Sequence, residues 1–260
     1  MHAAGTIQAD RTIPRPHKHV RSTRPAPYFF AITAGVMLLL VVAGFYPYYL
    51  RGEGMGGRQI ARPLATLVLV HGGAMTAWLL VFLVQALLVP ARKVRAHMRL
   101  GWSSLIVALV ASTSGFMVAV QSVRPVPDIA FWGMRYRQFL LVMLTEVALF
   151  TCFVIAGVLT RKRPAVHRAM MALASLSILA AATVRMPALT QVFGDGGWAG
   201  IFGPVFALGA LLVVVRSVLL GGADRWLVTG YALLVAVYMT ACALAVSELW
   251  NVWAHALLGV

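Results

Sequence analysis

The chain has 260 residues, of which 61% are apolar and only 11% are charged, and its formal net charge at pH 7 is +15. This composition excludes an ordinary water-soluble domain. The Lys and Arg residues lie at the ends of apolar segments rather than on one face of a polar domain. They therefore indicate contact with lipid headgroups rather than with nucleic acid, and the sequence predicts a lipid bilayer as the partner.

The first 27 residues are polar and basic, and Pro14, Pro16, Pro25 and Pro27 interrupt any helix there. The sequence predicts a mobile basic cytoplasmic tail for residues 1–27. A cleaved signal peptide is not expected, because the first apolar run is long enough to cross a bilayer and no small-residue cleavage site follows it. We therefore expect the first apolar run to remain in the mature protein.

Seven apolar runs follow the tail, and each is close to or above the roughly 20 residues that a helix needs to cross the hydrocarbon core. They cover residues 28–50, 64–89, 101–121, 138–160, 169–189, 199–220 and 226–247. The runs are continuously apolar and do not alternate, which argues against a membrane β-barrel. The sequence predicts an all-α integral membrane protein, a bundle of seven transmembrane helices over residues 28–260. Gly200, Gly203, Pro204 and Gly209 predict a loosened or kinked sixth span.

The basic residues are distributed unevenly between the two sides of the predicted bundle. The tail and the second-to-third, fourth-to-fifth and sixth-to-seventh connections hold fourteen Lys and Arg residues, and the opposite connections hold six. The positive-inside rule therefore predicts a cytoplasmic N-terminus and a periplasmic C-terminus. An odd number of spans agrees with that orientation.

The second span carries a polar stripe, formed by His71, Trp78 and Gln85 at intervals of seven residues. Residues seven apart lie nearly on one face of a helix, so the stripe is about 21 Å long. Lipid cannot satisfy its hydrogen bonds, and we expect the stripe to face the other helices.

His97 and His167 each follow a basic turn and precede a span that is rich in small residues. This repetition predicts that spans two and three, and spans four and five, are related hairpins. Both histidines lie near helix N-termini, where the helix dipole disfavours the imidazolium and leaves a neutral imidazole able to bind a metal. The alternative is a histidine that caps a helix or meets a lipid phosphate.

The polar stripe and the two histidine turns resemble a large group of unassigned bacterial multi-pass inner-membrane proteins. In that group a histidine of the second span is followed by Trp, Gln and a His-Arg-x-x-Gly-Trp turn, and a later His-Lys/Arg-x-x-Met turn opens a further span. The matching residues are His71, Trp78, Gln85, His97, Gly101, Trp102, His167, Arg168 and Met171. The match covers about residues 64–189 and departs at Met98, where the pattern more often has Arg. A more distant similarity to haem-handling helical membrane proteins, such as b561-type cytochromes and haem A synthase, implies a haem site.

Glu146 and Arg185 are ionisable residues inside apolar runs, at a predicted depth close to that of His71. Charged groups at that depth cost a few kcal/mol each unless they are paired or hydrated. An inward-facing cluster of the three is the main site hypothesis, with Gln121 and Asp128 as contributors from the adjoining loop. The cluster is either an ion pair that joins two helices or a pocket that opens outward and binds a headgroup, a quinone, a metal or a haem propionate. Arg216 is expected to reach water at the inner end of its span.

These observations predict a membrane protein that handles a redox cofactor, with haem or quinone as the favoured ligand. His71, His97 and His167 are the candidate axial or hydrogen-bonding residues, and Gln85, Glu146 and Arg185 complete the candidate cofactor-binding set. His71 is predicted near the membrane face opposite to that of His97 and His167, so one haem cannot bind all three. Either there are two separate sites, or His97 and His167 alone hold the haem. The alternative is a small-solute carrier, or a non-catalytic accessory subunit with a membrane-protein partner.

Overall fold

The structure is a computed structural model that describes residues 27–54, 59–60, 62 and 64–259. Residues 1–26 of the tail predicted for residues 1–27 lie outside the described residues. Seven helices in the described part are long and apolar enough to cross a membrane. The predicted all-α bundle with seven spans is therefore confirmed.

Ten helices and one short hairpin make up the described part of the chain. The helices are α1 (Phe29–Arg51), α2 (Leu64–Leu88), α3 (Val94–Val123), α4 (Tyr136–Leu159), α5 (Pro164–Ser177), α6 (Ala180–Thr183), α7 (Pro187–Phe193), α8 (Gly197–Leu220), α9 (Arg225–Ala245) and α10 (Glu248–Leu258). The strands β1 (Ala130–Phe131) and β2 (Met134–Arg135) lie between α3 and α4. Helices α5 and α6 together form the fifth span.

The two strands pair antiparallel across a two-residue turn. Their paired residues are Ala130 with Arg135 and Phe131 with Met134. The turn residues Trp132 and Gly133 have φ values of 51° and 79°, as a type I′ hairpin turn requires. The Trp132 carbonyl accepts the N–H of Gly197 at 3.3 Å. The hairpin therefore contacts the start of α8.

Helix α5 lies at the centre of the bundle, because all its residues from Ala172 to Ser177 are buried. It packs against α1, α2, α4, α8 and α9. Glycines on the neighbouring helices allow this close approach, since Gly230 of α9 faces the Leu173 side chain and Gly157 of α4 faces the Met171 side chain. In lipid such close backbone packing is a main source of stability.

The fifth span differs most from its predicted limits of residues 169–189. Its helix starts earlier, at Pro164, where a proline in the first turn loses no hydrogen bond. It breaks after Ser177, whose carbonyl accepts a hydrogen bond from the Tyr238 hydroxyl, and resumes as α6. Pro187 then starts α7, and because a residue before proline disfavours the helical conformation, the chain turns there.

The sixth span, in contrast, is one continuous helix that contains Pro204. Its glycines make room for aromatic rings: Gly203 faces the ring of Phe193, and Gly209 faces the ring of Tyr231. The break in a span lies in the fifth, between α5 and α6, and the kink predicted for the sixth span stays a prediction.

The apolar runs of the sequence do not predict helix α10, because its eleven residues are too few to cross a bilayer. Its side chains Leu249, Val252 and Trp253 are exposed, and Ala254 and Leu258 are buried against the bundle. This two-sided pattern is typical of a helix that lies in the membrane interface.

Candidate functional site

The polar stripe on α2 faces neighbouring helices along its length. His71 Nδ1 lies 3.2 Å from Ser114 Oγ on α3, and Trp78 Nε1 donates to Ser175 Oγ on α5 at 3.1 Å. At the other end, the Gln85 side chain lies against Gly101 of α3. The stripe therefore places polar groups at the eighth and twenty-second of the 25 residues of α2, with a buried tryptophan, 3% exposed, between them.

The hydrogen bond of His71 defines which ring nitrogen is free. Ser114 Oγ donates its proton to the Val110 carbonyl of its own helix, so it can only accept from the histidine. His71 therefore carries its proton on Nδ1, and the lone pair of Nε2 is available to a ligand.

His71 and Glu146 line one cavity of about 110 Å³ between α1, α2, α3, α4 and the break in the fifth span. We call it the glutamate cavity. Its other lining residues are Val41, Phe45, Tyr48, Tyr49, Val68, Gly72, Met75, Ala111, Ser112, Val147, Phe150, Ile178 and Ala181. Binding sites for drug-sized ligands measure roughly 300–1,000 Å³. A cavity of this size is too small for a haem or a quinone ring.

Arg185 lies near Glu146 but does not bind it directly. Among the described residues no ion pair within 4.0 Å joins the two side chains, although they interact electrostatically. The Arg185 guanidinium donates to the Ala181 carbonyl and lies 4.5 Å from the centre of the Phe45 ring. Arg185 follows the fifth span, and burial lowers the pKa of its guanidinium while the Glu146 carboxylate opposes that effect.

The loop residues that the sequence placed beside this cluster lie elsewhere. Asp128 is exposed and pairs with Arg137 at 3.2 Å and with Arg135 at 3.8 Å. Gln121 is exposed, and neither residue lines the glutamate cavity. Local ion pairs with α4 and its preceding strand hold Asp128 instead.

At the opposite end of the bundle the structure brings His97 and His167 together. Their ring centroids are 6.3 Å apart and the ring planes are nearly perpendicular, at 86°. Each is the fourth residue of its helix, His97 in α3 and His167 in α5. We call these two residues the histidine pair.

The histidine pair is held by two equivalent hydrogen bonds. His97 Nδ1 donates to the Gln85 carbonyl at 3.3 Å, and His167 Nδ1 donates to the Gly157 carbonyl at 2.9 Å. Each bond crosses a helical hairpin to the last turn of the preceding helix. Because a carbonyl only accepts, both neutral rings carry their proton on Nδ1 and leave Nε2 unprotonated. This repeated geometry agrees with the predicted relation between the two hairpins.

Gln85 contributes an unsatisfied polar atom at this end of the bundle. Its Oε1 is buried and has no hydrogen-bond partner in the described part of the chain. Such atoms are rare in folded proteins and indicate an unmet partner, such as a water or a ligand. No group of three or more His, Cys, Asp or Glu residues suited to a metal occurs among the described residues, so a metal here would have two histidine ligands.

Arg216 is buried, with 3% of its side chain exposed, so the expectation that it reaches water is wrong. It pairs with Asp224 at 3.4 Å, and its guanidinium lies 5.3 Å from the Phe29 ring centre and 5.1 Å from that of Phe30. Asp224 precedes α9 by one residue and caps it. The sequence placed Asp224 in a loop beyond the span, and nothing in the pattern showed that the loop folds back onto Arg216.

Comparison of the chain with protein-family models, with characterised proteins and with solved structures finds no match. The resemblance described from the motifs therefore stays a prediction.

Proposed function

We propose that this chain is a multi-pass membrane protein that holds a redox cofactor, with haem as the favoured group, through His97 and His167. The observation that carries the proposal is the 6.3 Å separation of the two ring centroids. Two imidazoles that bind one metal ion through Nε2, at about 2 Å each, have ring centroids roughly 5–6.5 Å apart. The observed separation lies within that range.

The hydrogen bonds behind the two rings support the same proposal. Metal-binding histidines almost always donate their second N–H to a carbonyl or carboxylate, which fixes the tautomer and orients the lone pair. Both members of the histidine pair donate from Nδ1 to a helix carbonyl. The buried Oε1 of Gln85 is then a hydrogen-bond acceptor for the bound group or for a water beside it.

A haem bound there would supply one-electron transfer. The role of the protein would be to hold two neutral imidazoles from separate hairpins and to exclude competing ligands. A quinone in the bilayer or a membrane-protein partner is the electron-transfer partner that we propose. For the cellular location we propose a bacterial inner membrane with the N-terminus in the cytoplasm, supported by the excess of basic residues on one side of the bundle.

An absorption spectrum of the detergent-purified full chain from haem-replete cells tests this function. We expect a Soret band in the wild type and its loss in His97→Ala and in His167→Ala. His255→Ala, which changes an exposed histidine on α10, is the matched control and is expected to keep the band. A colourless wild type without bound metal, or a band that persists in both pair variants, would contradict the proposal.

A further inference from the structure

The glutamate cavity is separate from the histidine pair, because His71 and Glu146 lie in the opposite halves of α2 and α4 from Gln85 and Gly157. His71 precedes Gln85 by fourteen residues on α2, which corresponds to about 21 Å along the helix. Glu146 is the eleventh residue of α4, and His167 follows that helix. Whatever the cavity binds is therefore distinct from a group on the histidine pair.

The polar groups of the cavity are mostly hydrogen-bond acceptors. Thr151 donates to the Val147 carbonyl, so the Ser112 hydroxyl donates its own proton to Thr151. Likewise Thr76 donates to a helix carbonyl and receives the proton of Tyr49. The hydroxyl protons of Ser112 and Tyr49 are therefore already donated. Among the lining residues that the structure describes, Tyr48 carries the hydroxyl that still has a proton to donate.

Two strong acceptors remain in the cavity. His71 presents Nε2 as a lone pair, because its Nδ1 proton is given to Ser114. Glu146 makes no hydrogen bond and no ion pair within 4.0 Å in the described part of the chain. Its electrostatic interaction with Arg185 acts at longer range, and the Arg185 guanidinium contacts the Ala181 carbonyl and the Phe45 ring. An ionisable group inside a membrane span is a candidate for function. A ligand that carries N–H donors would complement the two acceptors, His71 Nε2 and the Glu146 carboxylate.

The walls of the cavity indicate the charge and size of that ligand. Tyr48, Tyr49 and Phe150 line it, and aromatic faces attract cations. A cavity of about 150 Å³ accommodates benzene, so one of about 110 Å³ accommodates a molecule of only a few heavy atoms.

We propose that the glutamate cavity binds a small protonated amine, of the size of ammonium or methylammonium. Its N–H groups donate to the Glu146 carboxylate and to His71 Nε2, and its positive charge lies among the aromatic side chains. The proposal does not depend on a cofactor at the histidine pair.

Equilibrium dialysis of the detergent-purified full chain against radiolabelled methylammonium tests the proposal. We expect saturable binding of one methylammonium per wild-type chain and at least tenfold weaker binding in Glu146→Gln, which keeps the shape of the side chain. Glu248→Gln changes an exposed glutamate on α10, and we expect wild-type affinity. Absence of saturable binding in the wild type, or equal affinity in Glu146→Gln, overturns the proposal.

A second variant and two competitors make the test independent of the folding of Glu146→Gln. Ala181→Leu fills the cavity from the fifth span, and we expect it to reduce methylammonium binding at least tenfold. Potassium and urea are expected not to displace methylammonium at equal concentration. Displacement by potassium would overturn recognition through N–H donors, and displacement by urea would overturn recognition of the positive charge. Wild-type binding by Ala181→Leu would overturn the placement of methylammonium in the glutamate cavity.

Discussion

Gly44 of α1 lies directly against the backbone of Ala182 in α6, and no Cβ atom fits between them. The contact occurs where the fifth span has broken and resumed as α6. It holds the first span against the break, and the cavity that contains Glu146 is formed beside it.

We expect Gly44→Ala to destabilise the protein, because the added methyl group must push α1 away from α6. Overpacking of this kind costs about 1–3 kcal/mol. Thermal unfolding in detergent, followed by circular dichroism, measures the loss. Gly35→Ala is the matched control on the same helix, since nothing lies within 4 Å of its Cβ position, and a loss of stability in the control as large as in Gly44→Ala would contradict this account.

Gly115→Ala is predicted to disturb His71 from the neighbouring helix. The new Cβ would lie 2.9 Å from Cε1 of His71 and 3.0 Å from Cγ2 of Val147, so the imidazole must move away from α3 and from Ser114. We expect a drop in methylammonium affinity of at least threefold, measured by the same dialysis experiment. Unchanged affinity in a folded Gly115→Ala protein would show that the position of His71 does not matter for the ligand.

The buried ion pair between Arg216 and Asp224 leads to a prediction about stability. Asp224→Ala removes both the partner of a buried guanidinium and the cap of α9, and breaking a buried pair costs about 3–5 kcal/mol. We expect a much lower unfolding temperature in detergent. Asp195→Ala changes an exposed aspartate before α8 and is expected to leave the unfolding temperature within a degree or two of the wild type.

The orientation is testable by labelling of single cysteines in intact cells. In a background where Cys152 and Cys242 are replaced by Ser, we expect a membrane-impermeant maleimide to label Asp195→Cys and not Lys162→Cys. Both positions are exposed and lie on opposite sides of the bundle. The reverse pattern would place the N-terminus outside and would contradict the positive-inside argument.

The sequence predicts the number of spans well, because continuous apolar runs depend only on local composition. It does not predict where the fifth span breaks, because the Ser177 carbonyl at the break accepts a hydrogen bond from the Tyr238 hydroxyl of another helix. Helix α10 is missed for a related reason, because its exposed apolar face is short and was not distinguished from scattered interfacial aromatics.

The candidate site shows the same division between local and tertiary information. The spacing of His71, Trp78 and Gln85 is enough to predict that they share one face of α2. That His97 and His167 meet requires the packing of two hairpins, and no periodicity gives that distance. The size of the glutamate cavity depends on side chains from five parts of the chain, and it argues against the larger ligands that the sequence left open for that site.

The most direct test of the cofactor proposal is the metal content per chain of the purified protein, measured by elemental mass spectrometry. We expect close to one metal ion per wild-type chain, with iron as the element if haem is bound, and almost none in the double variant His97→Ala/His167→Ala. Equal metal content in the wild type and in a folded double variant, or none in either, would contradict the claim that these two imidazoles hold a metal-centred group.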